Sequence, residues 1–198
     1  MESGKRDGGQ LDGETMGSEE NVDGVGVVAV ESEMFRMEQV IEYVAEIEEN
    51  EDPYLQFLLQ HKRISGVYWA LTSLHLLNAQ HRAPVEKIFD YVHSCYDEES
   101  GGFGGHPEQD PHILYTLSAL QILALLGRLD SVDTDQVMQF VCKRQNQDGS
   151  FSGDEISGEI DTRFSYAGLL CARLLGRIAD IDVKSAVKYV IKCANFDG

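Results

Sequence analysis

The sequence has few basic residues for its size. It holds 16 lysines and arginines against 34 aspartates and glutamates, a net charge of -18. Because contacts to phosphate groups need basic side chains, this balance argues against nonspecific binding to nucleic acid or to an anionic membrane, and it favours basic partners. The charge is uneven, since 16 of the acidic but only 3 of the basic residues lie within residues 1–52.

Cysteines and long apolar runs are also scarce. The four cysteines, Cys95, Cys142, Cys171 and Cys193, form no CxxC pair, which argues against a disulfide framework or a cysteine-rich zinc site and predicts thiols buried in helices. No apolar run of about 18 residues indicates a membrane span. The opening residues, MESGKRDGGQ, lack the apolar segment of a secretory signal. Together these absences predict a cytoplasmic protein.

Residues 1–33 are predicted to be a disordered acidic arm. They contain seven glycines and nine acidic residues, with few large apolar side chains. Such a segment cannot bury enough surface to offset the entropy lost on ordering. From Met34 onward the apolar pattern becomes helical, so we expect the folded domain to comprise residues 34–198.

Two kinds of helix alternate in this domain. The first kind is apolar almost all round, which predicts burial between layers. These inner helices are expected at residues 67–77, 113–127 and 164–176. The second kind has apolar side chains at i, i+3, i+4 and i+7 with charged side chains opposite, which predicts one exposed face. These outer helices are expected at residues 84–95, 133–145 and 182–194.

A Gly-aromatic loop follows each helix pair. The successive loop glycines Gly101, Gly149 and Gly198 are 48 and 49 residues apart, and LLGR at 125–128 returns 49 residues later at 174–177. A period of this length predicts stacked repeats of one inner and one outer helix. We expect the loop glycines to adopt positive φ and the loop aromatics to fill the space between layers.

Five stretches of the sequence resemble the β subunits of Rab geranylgeranyltransferases, the type II protein prenyltransferases. They are RISGVYWALTSLHLL (63–77), DPHILYTLSALQIL (110–123), QDGSFSGD (147–154), GEIDTRFSYAG (158–168) and NFDG (195–198). The resemblance implies an all-α fold, the α-α toroid, in which six concentric helix pairs enclose a central funnel. About three pairs fit into residues 55–198, so we expect a truncated chain that forms the N-terminal half of the ring.

The resemblance also implies a reaction. An enzyme of this family transfers geranylgeranyl from geranylgeranyl diphosphate to C-terminal cysteines of Rab GTPases, and a bound Zn²⁺ lowers the pKa of the attacking thiol. It works with an α subunit and with an escort protein that presents Rab. The family's zinc ligands, an Asp, a Cys and a His, belong to later repeats. We therefore expect neither catalytic residues nor metal ligands before Gly198, and no activity from this chain alone.

What the resemblance places in this chain is the wall of a lipid funnel. Ser65 and Leu117 stand where the farnesyl-transferring relative has the larger Trp and Tyr, and the smaller side chains leave room for a longer lipid. Tyr68 and Trp69 share a helix with Ser65 and are interpreted as lipid-binding residues. The alternative is that both are ordinary core aromatics, because aromatic side chains are common in cores.

Arg163 and Tyr166 are further lipid-site candidates by resemblance. Arg163 follows Asp161, a candidate N-cap, in the first turn of a helix, where the helix dipole disfavours a cation. It lies either at the funnel wall or in a local ion pair with Asp161 or Glu159. The segment HPEQDPH at 106–112 is interpreted as a helix start rather than a metal site.

Two other functions compete with the transferase. The chain could be a noncatalytic helical-repeat fragment that binds an α subunit or lipid. It could also be another α-α toroid enzyme, such as a terpene cyclase, which the match of GEIDTRFS disfavours.

Overall fold

The computed structural model describes residues 36–43 and 59–195. The chain divides into two compact units, Met1–Glu38 and Gln39–Gly198. Only residues 36–38 of the first unit are described, and they are helical. The predicted disordered arm, residues 1–33, lies outside the described residues, as does most of the third Gly-aromatic phrase.

The described residues form seven helices, which confirms the all-α prediction. They are α1 (residues 36–43), α2 (Arg63–Leu76), α3 (Val85–Ser94), α4 (Ile113–Leu125), α5 (Thr134–Arg144), α6 (Thr162–Leu174) and α7 (Val183–Lys192). The inner helices α2, α4 and α6 and the outer helices α3, α5 and α7 match the predicted ones to within about one turn. In place of strands, the described residues contain only isolated β-bridges.

The connections repeat as regularly as the helices. Each link from an inner helix to the next outer helix contains a one-turn 3-10 helix. These turns are Gln80–Arg82, Leu129–Ser131 and Ile178–Asp180. A further 3-10 turn, Gln60–Lys62, precedes α2. The repeat predicted from the spacing of glycines and of LLGR therefore extends to the linkers.

The inner helix α4 lies at the centre of the main core. It packs against the inner helices α2 and α6, and the outer helices α3 and α5 pack against α4 and α6 respectively. Eight of its residues are buried. The prediction that every inner helix is buried all round is wrong for α2 and α6, because Trp69 is 63%, Leu76 79% and Tyr166 61% exposed. Only α4 has an inner helix on both sides within the described residues.

The Gly-aromatic loops join one repeat to the next. The loop aromatics Phe103 and Phe151 are fully buried, and Gly101 and Gly149 have φ of 82° and 91°, as expected. A Cβ on Gly149 would lie 2.1 Å from the Ser185 carbonyl oxygen in α7. Position 149 therefore requires glycine for two reasons: the backbone has a positive φ, and a side chain would collide with the next outer helix.

The cysteines divide between core and surface. Cys95 and Cys171 are buried and Cys142 is half-buried, but Cys193 is exposed. The prediction of buried thiols is therefore wrong for Cys193, which follows the last residue of the outer helix α7. Within the described ranges, no helix has both the length and the apolar character needed to cross a bilayer.

Candidate functional site

The inner helices α2 and α4 are joined by two polar contacts that involve predicted lipid-site residues. The Oγ atoms of Ser65 and Ser118 are 3.1 Å apart, and Gln121 Nε2 donates to the Tyr68 hydroxyl at 2.9 Å. Ser118 Oγ also lies 3.1 Å from the Leu114 carbonyl oxygen, so this hydroxyl contacts both its own helix and Ser65. These contacts fix how α2 and α4 are rotated against each other at the candidate site.

Leu117 is a core residue in this structure. Its side chain is 5% exposed and belongs to the main cluster of buried apolar residues. The neighbouring Ser118 contacts Ser65, so the structure brings the two predicted lipid-length residues to adjacent positions of one helix contact. A role for Leu117 in lipid binding stays a prediction.

The two most exposed aromatic side chains of the inner helices are Trp69 and Tyr166. Trp69 is 63% and Tyr166 is 61% exposed, so neither is a core aromatic. Tyr68 differs, because it is half-buried and packs against the main core. The core interpretation thus applies only to Tyr68, while Trp69 and Tyr166 present apolar surface from α2 and α6.

Arg163 forms the local ion pair that was one of its two predicted roles. Its Nη2 donates to Asp161 Oδ2 at 3.0 Å, and its backbone N–H donates to Asp161 Oδ1 at 2.7 Å. Asp161 is therefore the N-cap of α6, as predicted. The hydrogen bond from Arg163 lowers the pKa of the Asp161 carboxyl. The Arg163 side chain is still 66% exposed, so the pairing leaves it accessible to a ligand.

The histidines of the HPEQDPH segment have separate structural roles. His112 is the N-cap of α4, because its Nδ1 accepts a hydrogen bond from the Leu114 backbone N–H at 3.1 Å. His106 Nδ1 lies 3.4 Å from Gln60 Nε2. Across residues 36–43 and 59–195, no group of three His, Cys, Asp or Glu side chains is arranged to hold a metal ion. The described residues thus do not provide a zinc site.

Burial changes the proton affinity of His112. Desolvation lowers its pKa, against the opposing effect of the nearby carboxylates Asp154 and Glu159. The ring packs edge-on against Phe164, with centroids 5.2 Å apart. The neutral form, which alone can accept a hydrogen bond at Nδ1, is therefore favoured near neutral pH.

A groove between the two successive Gly-aromatic loops was not predicted from the sequence. Its volume is about 780 Å³, and it is lined by Asp97, Glu99, Ser100, Asp110, Pro111, Phe140, Lys143, Arg144, Asp154, Glu155, Ile156 and Ser157. The acidic side chains come from sequence-distant loops, so only the fold brings them together. One signal was available in the sequence: Arg144 stands where the adjacent repeats, 49 residues away on each side, have Cys95 and Cys193.

Comparison with known proteins places this chain among prenyltransferases. Residues 35–198 match the prenyltransferase alpha-alpha toroid domain. The "Geranylgeranyl transferase type-2 subunit beta" of Saccharomyces cerevisiae is 38% identical over 135 residues, which are 67% of this chain and 41% of that protein. The Candida albicans protein of the same name is 34% identical over 144 residues, 67% of this chain and 42% of its own length.

A plant protein shows a shorter match. The "Geranylgeranyl transferase type-2 subunit beta 1" of Arabidopsis thaliana is 44% identical over 84 residues, 42% of this chain and 26% of that protein. The chain thus spans about two fifths of the length of the two fungal relatives. The domain match covers the whole helix-pair array described above, and on that basis the chain belongs to the prenyltransferase α-α toroid family.

Proposed function

We propose that this chain supplies the front repeats of the β subunit of a Rab geranylgeranyltransferase. The complete enzyme would transfer geranylgeranyl from geranylgeranyl diphosphate to C-terminal cysteines of Rab GTPases, with a zinc-bound thiolate as nucleophile. Its partners would be an α subunit and an escort protein that presents Rab, in the cytoplasm. The observation that carries the proposal is the identity of 34–38% to two fungal proteins named as type-2 β subunits.

The part of the reaction assigned to the described residues is binding of the lipid. Trp69 and Tyr166 offer exposed aromatic surface on inner helices, and apolar burial contributes about 25 cal/mol per Å². Ser65 and Tyr68 would orient the adjacent wall through Ser118 and Gln121. Arg163, half of an exposed ion pair, carries the positive charge nearest to Tyr166 in the sequence.

Lipid binding can be tested on the chain as it stands. Trp69 is the only tryptophan of the sequence, and it is exposed, so its fluorescence reports directly on this surface. Titration with geranylgeranyl diphosphate is expected to shift the emission to shorter wavelength as the indole leaves water. Tyr166→Ser should weaken binding, whereas Tyr43→Ser, a matched change at an exposed tyrosine of α1, should not. An unchanged emission at saturating lipid would contradict a lipid surface at Trp69.

Transfer itself requires a separate assay. The full-length subunit, combined with an α subunit and an escort protein, is expected to attach labelled geranylgeranyl to Rab but not to Rab whose C-terminal cysteines are replaced by serine. The 198-residue chain tested in parallel is expected to bind lipid without transferring it. Preference of the full-length subunit for a substrate other than Rab would reassign the enzyme within the family, and failure to transfer any prenyl group would reject the proposal.

A noncatalytic role remains the second candidate. The exposed apolar side chains of α7, Val187, Val190 and Ile191, favour it because they could pack against another helical segment. A chain that binds an α subunit tightly and leaves the lipid unbound would support this alternative over the first.

A further inference from the structure

The groove between the Gly-aromatic loops has the size and the lining of a binding site. Its volume of about 780 Å³ lies within the range of ligand pockets, roughly 300–1,000 Å³. Pro111, Phe140 and Ile156 give it apolar surface, and Ile156 is 83% exposed. The outer helix α5 supplies Phe140, and the loops before α4 and α6 supply the other two.

Arg144 is an unusual side chain in the wall of this groove. It is 5% exposed, although it occupies the repeat position that Cys95 fills one repeat earlier. The equivalence is structural, because the Arg144 carbonyl accepts from Ser152 N–H as the Cys95 carbonyl accepts from Gly104 N–H, both at 2.9 Å. A long cation thus replaces a small apolar side chain at a buried position.

The Arg144 guanidinium is only partly compensated. Its Nη2 is 3.8 Å from Glu155 Oε2, on a side chain that is 83% exposed, and its Cζ lies 5.2 Å from the centre of the Phe140 ring. Nε and Nη1 are buried and have no hydrogen-bond partner among the described residues. Buried donors without acceptors are unfavourable. Nη2 is not enclosed in this way and has no acceptor within hydrogen-bond distance in the described part of the chain, so it is the Arg144 nitrogen to which a ligand in the groove would bring a carbonyl or carboxylate oxygen.

The rim of the groove selects for positive charge. Asp97, Glu99, Asp110, Asp154 and Glu155 outnumber the two bases, Lys143 and Arg144. Such a rim repels phosphate and other polyanions. A bare divalent cation does not fit either, since the described residues contain no three-ligand group for a metal, and the groove is far larger than one ion. The ligand must therefore combine cationic groups, apolar groups and oxygen acceptors.

We propose that this groove binds an extended basic segment of a partner protein. Lysine or arginine side chains of the segment contact the acidic rim at Glu99 and Asp110, an apolar side chain rests on Phe140 and Ile156, and a main-chain carbonyl accepts from Arg144. This role goes beyond prenyl transfer and is independent of the lipid surface at Trp69, because it uses the Gly-aromatic loops and α5 instead.

The test uses the full 198-residue chain and a fluorescein-labelled, amidated octapeptide of alternating lysine and leucine, with binding followed by fluorescence anisotropy. The groove variant Glu99→Gln/Asp110→Asn is expected to weaken binding about five- to tenfold, because two exposed charge contacts are lost. The control variant Glu98→Gln/Asp90→Asn removes the same charge from exposed side chains outside the groove and is expected to bind as the parent does. The same peptide with glutamate for lysine is expected not to bind.

Arg144→Leu separates a binding role from a structural one. Replacing a buried, incompletely paired charge by an apolar side chain should leave the melting temperature unchanged or raise it, while peptide affinity falls about tenfold. Unchanged affinity in Arg144→Leu, equal loss in the groove and control variants, or binding of the glutamate peptide would each overturn the proposal. Displacement of the peptide by millimolar Ca²⁺ at constant ionic strength would assign the groove to a cation instead.

Discussion

Arg128 donates two hydrogen bonds to the Glu86 carboxylate, from Nη2 at 2.6 Å and from Nη1 at 3.1 Å. The arginine follows the inner helix α4, and the glutamate lies in the first turn of the outer helix α3. One repeat later, Arg177 Nη1 donates a single hydrogen bond to Asp135 Oδ1 in the first turn of α5, while its Nε and Nη2 pair with Asp180. In both cases the arginine is the last residue of LLGR and lies 42 residues after its acidic partner. The motif therefore ties the end of α4 to the start of α3 and the end of α6 to the start of α5.

The Arg128–Glu86 pair should make stability depend on pH in the acid range. The hydrogen bond from Arg128 lowers the pKa of Glu86, so its contribution is complete above the unfolded pKa of about 4.3 and is lost as pH falls through the lower folded pKa. Urea denaturation of Arg128→Met is expected to show a smaller loss of stability between pH 5 and pH 3 than the parent protein shows. The control is Arg173→Met, at an exposed arginine of α6. If stability fell equally with pH in all three proteins, the Arg128–Glu86 pair would contribute nothing to the pH dependence of stability.

The His112 cap should respond to pH around neutrality. Burial lowers its pKa, so the unfolded chain binds the proton more readily, and stability is expected to fall as pH decreases from about 6.5 toward the folded pKa. Protonated Nδ1 also cannot accept from Leu114 N–H. His112→Asn keeps a cap without titrating and should remove this part of the pH dependence, while His112→Ala should cost about 1–2 kcal/mol at pH 7.5. Denaturation at pH 7.5 and 5.5 measures both effects, and an Asn variant as acid-sensitive as the parent would contradict the assignment.

Periodicity predicted the helices well, because a 48–49 residue repeat constrains every copy at once. The cap at Asp161 could also be predicted, since an aspartate directly before a helix commonly accepts a hydrogen bond from a backbone N–H of the first turn. His112 could not, because histidine is a rarer cap and Asp110–Pro111 gives a stronger start signal. The resemblance placed Trp69 at a funnel wall, but its exposure could not be predicted from the helical pattern itself, because apolar composition does not reveal which side of a helix is covered by a neighbour.

The groove could not be predicted from the helical pattern of the sequence. Lys143 and Arg144 end an amphipathic helix, where basic residues are normally exposed and favourable, yet Arg144 is buried. Its burial depends on the loop that follows α5, which returns to the end of the helix and donates a hydrogen bond from Ser152 N–H to the Arg144 carbonyl. Only comparison of equivalent positions between repeats, Cys95 with Arg144, singles this residue out.

Two glycines should give opposite results on substitution by alanine. Gly149 has φ of 91°, and a Cβ there would lie 2.1 Å from the Ser185 carbonyl oxygen, so Gly149→Ala is expected to destabilise the fold by more than about 2 kcal/mol. Gly66 lies inside α2, and a Cβ there would have no neighbour within 4 Å. Gly66→Ala is therefore expected to stabilise the protein by about 0.5–1 kcal/mol. Thermal unfolding measures the change in stability of each variant relative to the parent protein. Similar changes in the two variants would show that the loop does not depend on the close contact between Gly149 and Ser185.

We expect the preference of the enzyme for lipid length to depend on the side chains at the contact between Ser65 and α4. Ser65 Oγ lies 3.1 Å from Ser118 Oγ, and Leu117, next to Ser118 in the sequence, is 5% exposed, so the larger side chains of Ser65→Trp and Leu117→Tyr must displace neighbours or fill any adjoining lipid space. In the full-length subunit with its α subunit, each change is expected to penalise geranylgeranyl relative to farnesyl diphosphate by about 1–3 kcal/mol, which corresponds to a roughly 5- to 150-fold change in preference. Leu76→Tyr, at a side chain of α2 that is 79% exposed, is the matched control and should leave the preference unchanged. Circular dichroism establishes that each variant is folded before the two diphosphates compete in one reaction. A folded Ser65→Trp variant that still prefers geranylgeranyl by the parental ratio would remove Ser65 from the lipid wall, and the same result for Leu117→Tyr would leave Leu117 as a core residue alone.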